Sequence, residues 1–372
     1  MKKKILFYFI LIFFLFLATE IAARILIAQP KIFEMLSRNG ELNDSSIWRL
    51  QWVKRKQEEA KDNPEKLMFS YAAHHPQRGW QLKKSSSSPN EFYARGVHVN
   101  KKGIRGVREY SYERVAGKKR ILIFGDSFTF GTEVGDNETY PYYLQQMLPE
   151  AEVINMGVFG YGHDQMLLYL KEEGMKYRPD VVIIGYMGCD DSRNLLSFRD
   201  YAKPYFLLKS GKLILKGAPV SPPEQFLKNE FWRVKTLDLI NIAKRNVAVK
   251  SGAYEKAEQK MADAILEEMI ATVESIGGVA VLAYLDGIRD NDEIQKALIP
   301  DIERFFSHWQ ARKVRTVFLL PVVEAAKKEK YKNELAAGKP VYLKREFGHF
   351  SPWENQIIAA ALRNYLIKQD LL

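Results

Sequence analysis

Apolar positions occur along this chain in three textures. The first is an unbroken run, in which every residue from Ile5 to Ala18 is apolar after Met1-Lys2-Lys3-Lys4. The apolar character resumes past Glu20, as Ile21-Ala22-Ala23 and Ile25-Leu26-Ile27-Ala28. The whole stretch is long enough to cross a bilayer, where a helix needs about 20 residues. The second texture is a set of short apolar blocks bounded by turn residues, at Ile121–Phe124, Glu152–Asn155, Val181–Tyr186, Val279–Tyr284 and Val314–Leu320. Blocks of this length, rich in β-branched residues, read as buried strands. The third is a helical period at Tyr140–Leu148, at His163–Glu173 (stopped by Gly174), from near Tyr254, and at Trp353–Ile367. Strands alternating with helices in this order predict a parallel sheet with helices on both faces.

The pattern divides the chain into residues 1–30, a signal anchor; 31–115, a juxtamembrane arm and extended lead-in; and 116–370, the α/β domain. Residues 31–70 carry mixed charge and scattered aromatics, as a helical stalk would. Ser85–Asn90 reads as a flexible loop and Val97–Asn100 as a short strand. An insertion at about 195–255 breaks the alternation. It contains a hairpin, Tyr205–Leu208 and Lys212–Leu215 around Ser210-Gly211. Insertions this long serve as lids, binding surfaces or packing appendages.

The anchor shows no small-x-small cleavage site, because Ile21 stands three residues before a cut after Ala23, and no cysteine follows for lipid attachment. An uncleaved signal anchor is the expectation, with a cleaved signal as the alternative. The three lysines then keep the N-terminus cytoplasmic and place the domain outside, in the periplasm or beyond.

Composition adds a charge bias. The 372 residues include 56 basic and 45 acidic ones, a net charge of +11. That excess suits anionic lipid or acidic glycans as partners. Nucleic acid is not expected, since neither a zinc-ligand spacing nor an RNA-binding aromatic motif is present. The pair His74-His75 has no third ligand at helical or strand spacing, so neither metal nor other cofactor is expected. The single cysteine, Cys189, leaves no intrachain disulfide.

Candidate chemistry begins at Gly125-Asp126-Ser127. A serine just past the carboxyl end of a buried parallel strand lies where open α/β sheets bind ligands. It is either a nucleophile or part of an ordinary turn capped by Asp126 or Ser127. Asn155-Met156-Gly157-Val158-Phe159-Gly160-Tyr161-Gly162 follows the next strand, and His349 stands in a loop before the C-terminal helix. With these motifs in this order, the chain resembles the SGNH/GDSL hydrolase superfamily. Gly79-Trp80, Asn100–Gly106 and Lys203-Pro204 are similar to a membrane-anchored bacterial branch of it.

The resemblance implies a three-layer, flavodoxin-like sheet and an acyl-transfer site. Ser127 would be the nucleophile and His349 its base, preferred over His163, which sits at a helix start. Glu346, three residues before the histidine, would take the place of the orienting aspartate. The oxyanion hole would comprise the backbone N–H groups of Ser127 and Gly160 and a side chain at position 189. Family members carry an asparagine there; this chain has Cys189, a weaker donor. Asn194 or Arg193 could supply the missing donor instead. The implied activity is that of a serine esterase or O-acyltransferase on acyl esters of a surface glycan or lipid. Its rival is a non-catalytic carbohydrate- or lipid-binding protein on a degenerate fold of the same type. A P-loop is disfavoured, because no lysine follows the glycines in the required spacing.

Overall fold

In the computed structural model, residues 2–38, 40–59, 67–68, 71–88, 96–285, 292–332 and 348–372 are described. The helices are α1 (Lys2–Ala28), α2 (Pro30–Leu36), α3 (Ser45–Glu59), α4 (Ser127–Phe130), α5 (Tyr140–Met147), α6 (His163–Glu172), α7 (Cys189–Arg193), α8 (Pro223–Glu230), α9 (Lys235–Lys250), α10 (Ala253–Glu274), α11 (Asp292–Ala311), α12 (Leu320–Lys330) and α13 (Pro352–Lys368). The strands are β1 (Ala72–His75), β2 (Gly79–Leu82), β3 (Ser86–Ser88), β4 (Val97–Val99), β5 (Lys119–Phe124), β6 (Ala151–Asn155), β7 (Val181–Tyr186), β8 (Tyr205–Lys209), β9 (Lys212–Lys216), β10 (Val279–Tyr284) and β11 (Arg315–Phe318).

Five strands form one sheet in the order β11-β10-β7-β5-β6, all parallel. This is the doubly wound order expected of a flavodoxin-like sheet, and β5 is an interior strand, between β7 and the edge strand β6. Side chains alternate across the sheet. Ile121, Ile123, Val181, Ile183, Val281 and Ala283 pack on the side of α5, α12 and α13. Leu122, Phe124, Val182, Ile184, Leu282 and Tyr284 pack on the side of α6, α10 and α11. Both faces are therefore covered, which is why the strands read as continuous apolar blocks. The last helix is held by Ile358, Ala359, Leu362 and Leu366, all fully buried on one helical stripe.

Two local expectations change. Ser86–Ser88, expected as a flexible loop, pairs antiparallel with Val97–Val99. Serine has little strand preference of its own; the edge offered by Val97 and Val99, both buried, overrides it. The block Val314–Leu320 is strand only over Arg315–Phe318, because Leu320-Pro321 opens α12 with proline in its first turn. The insertion contains the expected hairpin, with Leu207 opposite Ile214. The arm is packed against it: Trp52 of α3 meets Phe198, Tyr201 and Phe226 at ring separations of 5.2–5.9 Å.

Candidate active site

The site is assembled at the carboxyl ends of β7, β5 and β6. After β5 the chain turns at Gly125-Asp126 into the one-turn helix α4. Asp126 caps that helix, its carboxylate accepting from the N–H of Phe128 at 2.9 Å. Ser127 is the first helical residue, so its N–H belongs to the unsatisfied first turn. Gly157 lets the β6 loop press against this turn: a Cβ there would lie 2.4 Å from the backbone nitrogen of Phe130. Asn155 pins the approach, donating to the carbonyl of Thr129 at 3.0 Å and accepting from the N–H of Gly157 at 2.9 Å.

His349 reaches Ser127 from the far end of the chain. Its Nε2 lies 2.9 Å from Ser127 Oγ. Its ring also packs on Phe128, and Ser351 and Glu354 close a capping box at the start of α13 that fixes the loop. The other ring nitrogen, Nδ1, is 2.7 Å from a carboxylate oxygen of Glu133. Among the described residues, the carboxylate on His349 Nδ1 is that of Glu133; Glu346, which the resemblance implied for this place, lies outside the described residues. Glu133 sits six residues after the serine, at a φ of +72°, and its side chain is 10% exposed. A non-glycine residue held at positive φ marks a place where surrounding structure overrides backbone preference, a common feature of functional sites. A signal for it existed in the sequence: Glu133 is the sole charged residue between Ser127 and Asp136.

A serine with its hydroxyl on an imidazole, and that imidazole on a carboxylate, has what nucleophilic catalysis requires. This is the arrangement that the SGNH/GDSL resemblance implies. No family model matches the chain, and no curated protein matches it. Among solved structures, one assigned to the lipolytic G-D-S-L family, from Desulfitobacterium hafniense, is 15% identical; the alignment covers 67% of this chain and 100% of that one, with a TM-score of 0.39. A catalytic mutant of an acetylxylan esterase from Geobacillus stearothermophilus is 15% identical over 68% of this chain and 96% of that one, with a TM-score of 0.38. A psychrotrophic esterase from Pseudoalteromonas is 11% identical over 68% and 98%, with a TM-score of 0.37.

Gly160 occupies the loop after β6 at a φ of +70°, and a Cβ there would lie 2.1 Å from a carboxylate oxygen of Asp200. Asp200 belongs to the insertion, so the insertion closes over this loop. The lead-in supports it from below: Trp80 Nε1 donates to the Phe159 carbonyl at 3.0 Å, and the Tyr161 hydroxyl donates to the Trp80 carbonyl at 2.5 Å. A buried ion pair between Lys203 and Asp164 locks the insertion to α6. The remaining Lys203 protons go to the carbonyls of Arg193 and Leu196, at 3.1 and 3.0 Å.

Cys189 opens α7 beyond β7, and its sulfur lies within 4.8 Å of carboxylate oxygens of Asp126 and Asp190. The cationic charge there comes from Arg193, which donates to Asp126 at 3.1 Å, Asp190 at 2.6 Å and the Tyr161 carbonyl at 3.1 Å. Arg193 and Asn194 are both committed to structure: Asn194 accepts from the N–H of Asp164 at 3.1 Å and faces His163 Nδ1 at 3.2 Å. His163 is fully buried and lies flat on Tyr186, with ring centroids 5.2 Å apart. Burial, reinforced by the charge of Arg193, pushes its imidazole down to about 3. It is neutral at ordinary pH, as a packing residue should be, and Ser127 pairs with His349 instead.

Proposed function

We propose that the chain is a membrane-anchored serine hydrolase or O-acyltransferase of the SGNH/GDSL type, facing the periplasm or the exterior. The observation that carries this reading is the 2.9 Å approach of His349 Nε2 to Ser127 Oγ, with Glu133 on the opposite nitrogen.

In the first half-reaction His349 takes the Ser127 proton as the oxygen attacks the ester carbonyl. The N–H groups of Ser127 and Gly160 would stabilise the oxyanion, with the side chain at position 189 as the third donor. The alkoxide leaves with the proton from His349, and the acyl group stays on Ser127. Water, or a hydroxyl of a glycan or lipid, then repeats the sequence and carries the acyl group away. Glu133 holds the imidazole in the tautomer with Nδ1–H and stabilises the imidazolium formed in each step.

Two features favour an acyl ester on a surface glycan or lipid as substrate. An 18-residue window of α1 has a mean hydropathy of 2.5 and is 6% buried, as a span in lipid would be. The excess of basic residues suits an acidic polymer or an anionic lipid surface.

The test is labelling of the full chain in membranes with a fluorophosphonate serine probe. Covalent labelling is expected, and Ser127→Ala should abolish it. Folded protein that takes no label would overturn the enzyme reading. It would favour the non-catalytic binding protein for which Cys189 in the oxyanion position already speaks.

A further inference from the structure

The helix α9 is turned inside out relative to an ordinary surface helix. Its inward stripe is Lys235, Asp238, Ile242 and Arg245, all buried. The charged members each have a partner there. Asp238 pairs with Arg49, Lys235 pairs with Glu230, and Arg245 donates to the Leu42 carbonyl at 2.8 Å. Its outward stripe is Leu237, Ile240, Lys244 and Val247, spaced three and four apart on the opposite side. Leu237, Ile240 and Val247 are 56%, 42% and 67% exposed. At the helix start, Phe231 and Trp232 stand 68% and 79% exposed. A helix that buries three of its five charged residues and displays Leu237, Ile240 and Val247 is built against something other than water.

What it faces is indicated by its neighbour. The helix α9 has no side-chain cap of its own, its N-cap being Val234. The cap comes from α1: Glu20 accepts from the N–H of Lys235 at 2.9 Å and from the N–H and hydroxyl of Thr236, each at 3.0 Å. Four residues on, Arg24 pairs with Glu20 at 2.9 Å and donates to the carbonyls of Phe231 and Arg233 at 3.1 and 3.0 Å. These two polar residues, which interrupt an otherwise apolar segment, thus clamp α1 to the base of the insertion.

The clamp lies too close to Lys2-Lys3-Lys4 to clear the bilayer. From Ile5 to Thr19 there are fifteen residues. At 1.5 Å per residue they span about 22 Å, against a hydrocarbon core of about 30 Å. If the lysines at positions 2–4 lie at one interface, Glu20 falls about 8 Å short of the other. The surface flanking the clamp must then enter the outer leaflet, and that surface is the apolar stripe of α9 with Phe231 and Trp232. Aromatic residues at the start of α9 fit the interfacial zone, and Lys244 can extend its ammonium to the headgroups.

We propose that the outer face of α9 and the Phe231-Trp232 corner form a seat in the outer leaflet, so that anchor and insertion enter the membrane as one unit. This inference rests on α1 spanning a bilayer, and the experiment separates the two. In a Cys189→Ser background, single cysteines replace Ile240, Val247, Ile12 in α1, or the exposed Lys260 of α10. Each full-length protein carries an environment-sensitive fluorophore and is reconstituted in phosphatidylcholine–phosphatidylglycerol vesicles at high dilution. Lipids bearing nitroxides on their chains are the quencher.

The expected result is blue-shifted emission, quenched by the lipid nitroxides, at positions 240, 247 and 12, with position 260 unaffected. If positions 240 and 247 match position 260 while position 12 is quenched, α1 spans but the seat is wrong. If position 12 is also unquenched, the spanning reading falls and the seat with it. Blue-shifted emission at 240 and 247 that ignores the lipid quencher would assign the face to another protein chain and overturn the proposal.

Discussion

Replacing Glu133 by glutamine isolates the charge on the far side of the His349 imidazole. The carboxylate lies 2.7 Å from Nδ1, which puts the two charge centres roughly 4 Å apart once His349 has taken the serine proton. At an effective dielectric of about 20, two unit charges at that separation interact by about 4 kcal/mol. The glutamine amide oxygen can still accept from Nδ1–H, so the tautomer survives and the charge is what is lost. At about 1.4 kcal/mol per decade, kcat should fall roughly 1,000-fold. That is smaller than the loss of about 10,000-fold when a protease triad's acid becomes an amide and the imidazole is held in the wrong tautomer. Because Glu133 acts through the histidine, KM should hardly move. The assay is steady-state hydrolysis of p-nitrophenyl acetate by the full chain in detergent, with thermal denaturation confirming the fold. Glu346→Gln serves as the comparison and should leave kcat nearly intact. The assignment would be refuted if Glu133→Gln kept kcat within about tenfold while His349→Ala abolished turnover, or if Glu346→Gln were the more damaging change.

Cys189→Asn should raise ester turnover by about 100- to 1,000-fold if position 189 faces the oxyanion; an unchanged rate would place that side chain outside the hole. Lys203→Met strips Asp164 of its buried cation and should cost about 3–5 kcal/mol of stability, seen as a lowered Tm; an unaltered Tm would mean that the pair does not lock the insertion. His163 contributes a pH dependence. Burial and Arg193 hold it at about 3 in the folded chain, against its ordinary 6.5. Below pH 6.5 the unfolded chain binds a proton that the folded chain refuses. Its contribution is therefore fully present above 6.5 and is lost as pH falls toward 3, by up to about 1.4 kcal/mol per unit. Denaturation between pH 6.5 and 4 should show a shallower acid slope in His163→Phe than in the wild type, and identical slopes would contradict the burial argument.

The sheet was legible because a doubly wound fold buries both faces of its strands, and continuous apolar blocks between turn residues have few other uses. The position of Ser127 was legible for a related reason: it occupies the turn after its strand, where sequence position translates directly into space. Glu133 was not. Its role depends on a left-handed backbone turn and on a histidine 216 residues away, neither of which leaves a local pattern. The inversion of α9 stayed hidden as well. Its 3.6-residue period says that two faces differ, and only the packing of Arg49 and Glu230 shows that the charged face is the inner one. Ser86–Ser88 illustrates the same limit in a sheet, since its pairing comes from a partner strand and not from serine.

In the proposed mechanism the nucleophile and its acid lie on one segment of seven residues, Ser127 to Glu133, while the base arrives with the last helix. The proposed catalytic set is therefore divided between two stretches of chain far apart in sequence. Chain cleaved within 333–347 would leave the serine and the acid on one fragment. The histidine would travel with α13, whose apolar stripe fits a slot formed by α5 and the sheet. Activity would then reappear by docking of the C-terminal fragment, with its dissociation constant set by that stripe and its turnover set by His349. The architecture is that of a two-part lock whose key carries the proton acceptor.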